Sequence, residues 1–234
     1  GRGMGSSDSG EIWHMLDQRF GIPPTLIEFT TLHSRDLSAY NVIILANGSP
    51  TEPLSPAALP KLKEWVENGG TLITTGSAYK LTNKAKITDF KTLSQGKKKE
   101  KGEGNTHIEY QPYHNIAKSK SCIEGVIFNC HLDITSPLGY GYENPNVAIM
   151  KNGTTVMDFS QIKGNSPMQY TKQPYLSGCV SQENIKRIAN APASIVSECG
   201  KGNVIWFADD LNYRSYWFGG TKIFMNAIYF GQLY

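Results

Sequence analysis

Two short apolar runs constrain the fold of this 234-residue chain more than any other feature. Residues 41–48 (NVIILANG) and 71–76 (TLITTG) are each the length of one strand, and residues 55–70 (SPAALPKLKEWVENGG) between them read as one helix. Pro56 suits the first helical position. Leu59, Leu62 and Val66 make a buried stripe, and Asn68, Gly69 and Gly70 end the helix. A nearly continuous apolar strand belongs in a sheet covered on both faces. Strand, helix and strand in succession imply a right-handed crossover and parallel pairing.

The alternation recurs along the chain. Asp8 and Glu11 fit a capping box opening a helix over 11–20, with Ile12, Trp13, Leu16 and Phe20 at helical spacing and Gly21 as its terminus. Residues 25–32 (TLIEFTTL) predict a strand and 36–40 a turn. Residues 122–132 predict one or two strands, and 146–159 (NVAIMKNGTTVMDF) a hairpin turning at Asn152 and Gly153. A helix capped by Ser181 follows over 181–191; then come strands over 193–200 and 204–210, and a helix over 221–231. Residues 81–121, rich in lysine and glycine, read as an excursion from the sheet. The whole of 1–234 is expected to form one domain. A doubly wound sheet normally opens with a strand, yet only GRGMGSSDSG precedes the first helix. The chain is therefore expected to be part of a longer polypeptide, with its first strand elsewhere.

Composition narrows the functional classes. The sequence is 39% hydrophobic and 11% aromatic, enough for a core. The net charge of +3 owes much to Lys97, Lys98, Lys99 and Lys101, a glycine-flanked run that reads as a solvated loop. No nucleic-acid footprint stands out. No run approaches the ~18 apolar residues of a membrane span, and the N-terminus lacks the apolar segment of a signal peptide. Cys122, Cys130, Cys179 and Cys199 include no CxxC pair, and His114, Cys130 and His131 lack zinc-site spacing. No HExxH or HxxE motif occurs.

The segments 10–23 (GEIWHMLDQRFGIP), 40–48, 62–78 (LKEWVENGGTLITTGSA), 136–142 (SPLGYGY), 176–189 (LSGCVSQENIKRIA) and 203–231 together resemble a known arrangement. It is the class I glutamine amidotransferase-like domain at the C-terminus of some bacterial M14-type zinc carboxypeptidases. The resemblance spans roughly 10–231 and weakens across 81–121. It implies a flavodoxin-like α/β sandwich, related to the DJ-1/PfpI group, with a mostly parallel sheet and a β-rich or irregular insertion. It further implies an exported parent protein whose zinc-binding peptidase domain would be the partner of this one. Neither the residues nor the resemblance calls for a cofactor or metal here.

The strand ending in Gly76, Ser77 and Ala78 marks where such folds place a nucleophile on a strained turn with small neighbours at −2 and +2. With Ser77 at the apex those neighbours are Thr75 and Tyr79, which are too large. With Gly76 at the apex there is no side chain to attack, and related amidotransferases carry cysteine at the similar position. The turn over 133–142 resembles one that often carries His-Pro in related domains; here Ser136 precedes Pro137. The expected reading is a degenerate elbow and a non-catalytic domain that binds a peptide or glycan or packs on the peptidase domain. A divergent serine hydrolase using Ser77, or a free-standing binding or scaffolding protein, are the alternatives. Candidate ligand contacts are Asn47, Gly48 and Ser77, with Asp209, Asp210, Asn212 and Arg214 in FADDLNYRSYW (207–217) after the last strand.

Overall fold

A computed structural model describes residues 4–48, 55–93, 122–158, 160 and 164–234. Two sheets organise them. The first has the order β1-β2-β7-β6, built from β1 (Val42–Leu45), β2 (Thr71–Thr75), β7 (Gly202–Phe207) and β6 (Ser194–Cys199). β1 runs parallel to β2 and β2 to β7, while β6 returns antiparallel to β7. The second sheet is antiparallel, with β3 (Val126–Leu132) between β4 (Asn146–Lys151) and β5 (Met168–Ser177). The result is a flavodoxin-like α/β fold with a mostly parallel sheet and an added antiparallel one.

The alternation of side chains along a strand sends β2 and β7 residues to opposite faces. Leu72 and Val204 enter one apolar cluster with Ala58, Leu62 and Val66 of α2 (Ala58–Glu67). Leu62 is fully buried, and such burial is worth about 1.5–3 kcal/mol. Ile73, Ile205 and Phe207 point the other way. There they join Met15 and Leu16 near the N-terminus, Phe224 of the C-terminal helix (Thr221–Phe230), and Phe128 and Ile149 of the antiparallel sheet. The helix capped by Ser181, Gln182–Ile188, forms as read, with the Ser181 side chain accepting from Asn184 N. In chain order the helices are α1 (Ser6–Trp13), α2, α3 (Tyr79–Lys84), α4 (Gln182–Ile188) and α5 (Thr221–Phe230).

Several expectations are corrected. No capping box forms: α1 starts at Ser6, with Asp8 in its first turn. The chain enters that helix already tethered, because Gly5 N donates to Asn47 O (2.8 Å) and Met4 bridges to Gly48. The helix then widens into a π-helical stretch, His14–Arg19, and ends at Gly21, whose φ of +66° is the left-handed conformation glycine favours. Trp13 and Phe20 are partly exposed.

Residues 25–32 hold no strand. They follow Pro23 and Pro24 and lead into a 3₁₀ turn, Phe29–Ser34, whose Phe29 and Leu32, three apart, pack on the α2 cluster. β1 is not buried on both faces: Val42, Ile43 and Ile44 are half-exposed, because it forms the edge of its sheet. The hairpin at Asn152 and Gly153 does not form either. β4 pairs with β3, while Gly153 N donates to Ile123 O and Met157 bridges to Thr92. Most of the lysine- and glycine-rich excursion, residues 94–121, lies outside the described residues. Among the described residues no helix is long and apolar enough to cross a membrane.

Candidate functional site

Three strands of the parallel sheet deliver their C-terminal ends to one place, the crevice where open α/β sheets hold ligands. β1 brings Asn47, β2 brings Gly76 and Ser77, and β7 brings Ala208 and Asp210. They line a cavity of about 120 Å³. Asp8 of α1 closes one side, and Asn152, Gly153 and Thr155, after β4, close another.

The β2 end has the strand–turn–helix shape of a nucleophile elbow, a 3₁₀ turn over Gly76–Ala78 running into α3. The residue with positive φ is Gly76, at +52°. A Cβ there would lie 2.7 Å from Asn47 Cγ, so the Asn47 amide fills the space a side chain would need. Ser77 is the residue after the apex. Its N–H and its hydroxyl both donate to Asn47 Oδ1, each at 2.9 Å. Gly48 N donates to Ser77 Oγ at 3.2 Å, and Asn47 Nδ2 donates to Asp8 Oδ1 at 3.1 Å. From below, Trp206 Nε1 donates to Gly76 O at 2.9 Å and pins the turn.

This network occupies the groups that acyl transfer would use. An elbow stabilises its oxyanion with the N–H following the nucleophile and an N–H from a neighbouring loop. The corresponding donors, Ser77 N–H and Gly48 N–H, both have internal acceptors. The hydroxyl faces a side-chain amide oxygen, which is not a base that can take its proton. Among the described residues no histidine lines the cavity. His107 and His114 lie outside the described residues.

The β7 end is built differently. Asp209 turns inward and is 1% exposed, where it accepts from Lys151 Nζ at 2.8 Å. Lys151 also donates to the Tyr170 hydroxyl at 3.3 Å, and Tyr170 in turn bonds Asp209. Burial, reinforced by the Asp209 charge, holds the Tyr170 phenol well above its usual range. Burial does the same to the Cys130 thiol nearby.

Asp210 turns the other way, into the cavity. Its carboxyl is pushed up to about 9, first by burial, then by a side-chain bond to Glu11 and the Glu11 charge, against the opposing Asn212 N–H. That N–H donates to Asp210 Oδ1 at 3.2 Å, and Asn212 Nδ2 donates to Glu11 O. Behind this carboxyl the buried Asn212 Oδ1 has no hydrogen-bond partner, whereas Glu11 meets the protonated Asp210 carboxyl.

The candidate residues are thus only partly gathered. Asn47, Gly76, Ser77 and Asp210 line the cavity, and Gly48 bonds to its wall. Asn212 sits behind Asp210, and Asp209 is buried in its pair with Lys151. Arg214 is exposed and lies over the Tyr213 ring, 5.1 Å from its centroid, in the left-handed conformation with φ +48°.

Sequence reasoning overlooked Asp8 and Glu11 as site groups, because as a capping pair they already had a role. It also overlooked Lys151. A lysine closing the apolar run NVAIM was the available signal, since a charge in a buried strand requires a partner. Among the described residues no group of histidine, cysteine and carboxylate side chains could hold a metal.

No protein-family model and no curated protein matches the sequence. Solved structures do match in shape. A ThuA-like protein from Parabacteroides merdae is 11% identical with a TM-score of 0.59, over 99% of this chain and 88% of its own. PurLQS from Thermotoga maritima is 16% identical with a TM-score of 0.58, over 96% of this chain and 92% of that one. A Thermoplasma acidophilum protein described as a GMP synthase component is 8% identical with a TM-score of 0.53, over 97% of this chain and 89% of that one. At these identities the likeness is one of fold. The chain shares with these proteins a flavodoxin-like α/β fold.

Proposed function

We propose that this chain is a non-catalytic binding domain on a glutamine amidotransferase-like fold, with its ligand site in the cavity at the strand ends. One observation carries the reading. Gly76 stands at the apex without a nucleophile, and the two N–H groups able to hold an oxyanion are bonded to Asn47 Oδ1 and Ser77 Oγ. Such a site can still bind, since a cavity needs only shape and unmatched polar groups to select a ligand. The direct test is turnover. The purified chain is expected to hydrolyse none of a panel of glutamine, p-nitroanilide and p-nitrophenyl ester substrates. Hydrolysis that disappears on Ser77→Ala would replace this reading with that of a serine hydrolase.

We further propose that the domain serves an exported zinc carboxypeptidase-like protein, as an accessory to a peptidase domain in the same polypeptide. The support is the order of sequence segments that resembles such accessory domains. The full reading frame is the test: a secretion signal and an upstream zinc-binding peptidase domain are expected, and a frame encoding neither would leave a free-standing binding or scaffolding protein.

A further inference from the structure

We propose that the first two turns of α1, residues 6–11, are a strap along one side of the cavity, latched to the end of β7 by a proton shared between the carboxyls of Glu11 and Asp210. The strap governs access to the cavity, and its functional meaning rests on the ligand-binding reading above.

The segment is built to lift without the rest of the fold. Residues 6–10 are Ser, Ser, Asp, Ser and Gly, all weak helix formers, and the N-cap Gly5 supplies no side-chain bond. Ser6, Ser7 and Gly10 are exposed. Its ends are tethered, by the bridge from Met4 to Gly48 on one side and by Ile12, Met15 and Leu16 in the core on the other. Between the tethers the contacts are polar. Asn47 Nδ2 donates to Asp8 Oδ1 at 3.1 Å, Asn212 Nδ2 donates to Glu11 O at 2.6 Å, and the Glu11 carboxyl meets that of Asp210. A segment with few apolar contacts belongs to the low-stability end of local opening. When it lifts, Asp8 leaves the cavity wall.

The latch follows from the charges around it. Asp8 and Glu11, three apart, share one face of α1, and Asp210 meets them from the end of β7. Asp209 is turned away to Lys151, and Arg19 of the π-helical stretch is committed to Ser215 O and the Phe218 ring. The other strand ends contribute Asn47 and Ser77, and the turn after β4 contributes Asn152 and Thr155, all uncharged. The charges acting on Asp210 are those of Glu11 and Asp8, both negative. Two carboxyls in contact without a cation resist ionising together, so the pair keeps one proton. Burial first and Glu11 second push the Asp210 carboxyl up to about 9, so it is protonated at neutral pH.

Once the strap lifts, both carboxyls meet water and return toward the ordinary range near about 4. The closed form therefore holds a proton that the open form gives up between about pH 4 and pH 9. Closure is firmest at low pH, and opening rises by up to about tenfold per unit across that window.

Residue-resolved amide hydrogen exchange at pH 6, 7 and 8 tests this. Divided by the intrinsic rate, protection of the Ser9, Gly10 and Glu11 amides is expected to fall by up to about tenfold per unit. It should not change in dilute urea, since a local opening exposes little surface. Protection in β2 and β7 should be higher at every pH and should fall with urea. Asp210→Asn and Glu11→Gln each give the remaining carboxylate a permanent N–H donor, so either variant should make strap protection independent of pH. The latch is overturned if wild-type strap protection is constant with pH, or follows the core amides through global unfolding. It is equally overturned if either variant keeps the pH dependence. Ser77-dependent hydrolysis, by contrast, overturns the ligand-binding reading and leaves the latch standing.

Discussion

The ends of β2 and β7 lie side by side in one sheet, yet they solve opposite problems. At the β2 end the Ser77 N–H and hydroxyl both go to Asn47 and the Gly48 N–H goes to Ser77, and the left-handed position is held by a glycine. That end is chemically closed. At the β7 end two successive aspartates part company: Asp209 is neutralised by Lys151 in the interior, while Asp210 meets the Glu11 carboxyl, and among the described residues no basic side chain lines its cavity. The contrast teaches that two neighbouring strand ends of one sheet can settle their polar groups differently, one through a side-chain amide and the other through an ion pair and a pair of carboxyl groups.

The comparison can be broken most forcefully at Asp209. Removing one partner of a buried pair leaves an uncompensated charge, so Lys151→Met should destabilise the protein by about 3–5 kcal/mol. The double variant Lys151→Met/Asp209→Leu should recover most of that loss in urea unfolding. A Lys151→Met protein as stable as wild type would remove the pair from the account of the β7 end.

At the β2 end, Gly76→Ala forces a Cβ onto the Asn47 amide at a positive φ and should cost about 1–3 kcal/mol. Adding Asn47→Gly should relieve the collision part of that cost, leaving the backbone part. Full additivity of the two changes would mean that Asn47 does not fill the elbow. Ser77→Ala removes one hydroxyl bonded to Asn47 and Gly48, and should cost about 0.5–1.5 kcal/mol.

The subtlest test concerns protons. Asp210 is held at about 9 in the folded state, above its ordinary carboxyl range, so folding favours its protonated form. The stability it contributes is fully present below about pH 4 and is lost progressively as pH rises toward 9. Thermal midpoints of Asp210→Asn and wild type should therefore diverge across that window, with the variant gaining on wild type as pH rises. Parallel curves would mean that Asp210 titrates normally.

Much of this architecture is legible in the chain because burial writes itself as period. The runs forming β2 and β7, the stripe Leu62 and Val66, and the Ser181 cap all declare their role locally. What stayed hidden depends on distant partners. Phe29 and Leu32 look like strand residues until α2 is present to receive them. Asn152 and Gly153 carry a strong hairpin signal, yet β4 already has β3 as its neighbour and the chain beyond goes to Thr92. β5 mixes Tyr170, Lys172 and Pro174 and announces no single face. The elbow could be doubted from the size of Thr75 and Tyr79, but its filling by Asn47 could not be foreseen. Nor could the division of labour between Asp209 and Asp210, because alternation decides it only once Lys151 and Glu11 are in place.

The apolar cluster shared by the two sheets has a consequence for modularity. Phe128 and Ile149 have no core of their own; they are covered by the same residues that cover Ile205 and Phe207. The antiparallel sheet is therefore not a detachable ornament on an α/β scaffold. Excising it would uncover the part of that cluster not already covered by Met15, Leu16 and Phe224, and transplanting it would carry an uncovered face into the new host. A substitution at Phe128 or Ile149 therefore bears on Ile205 and Phe207 as well.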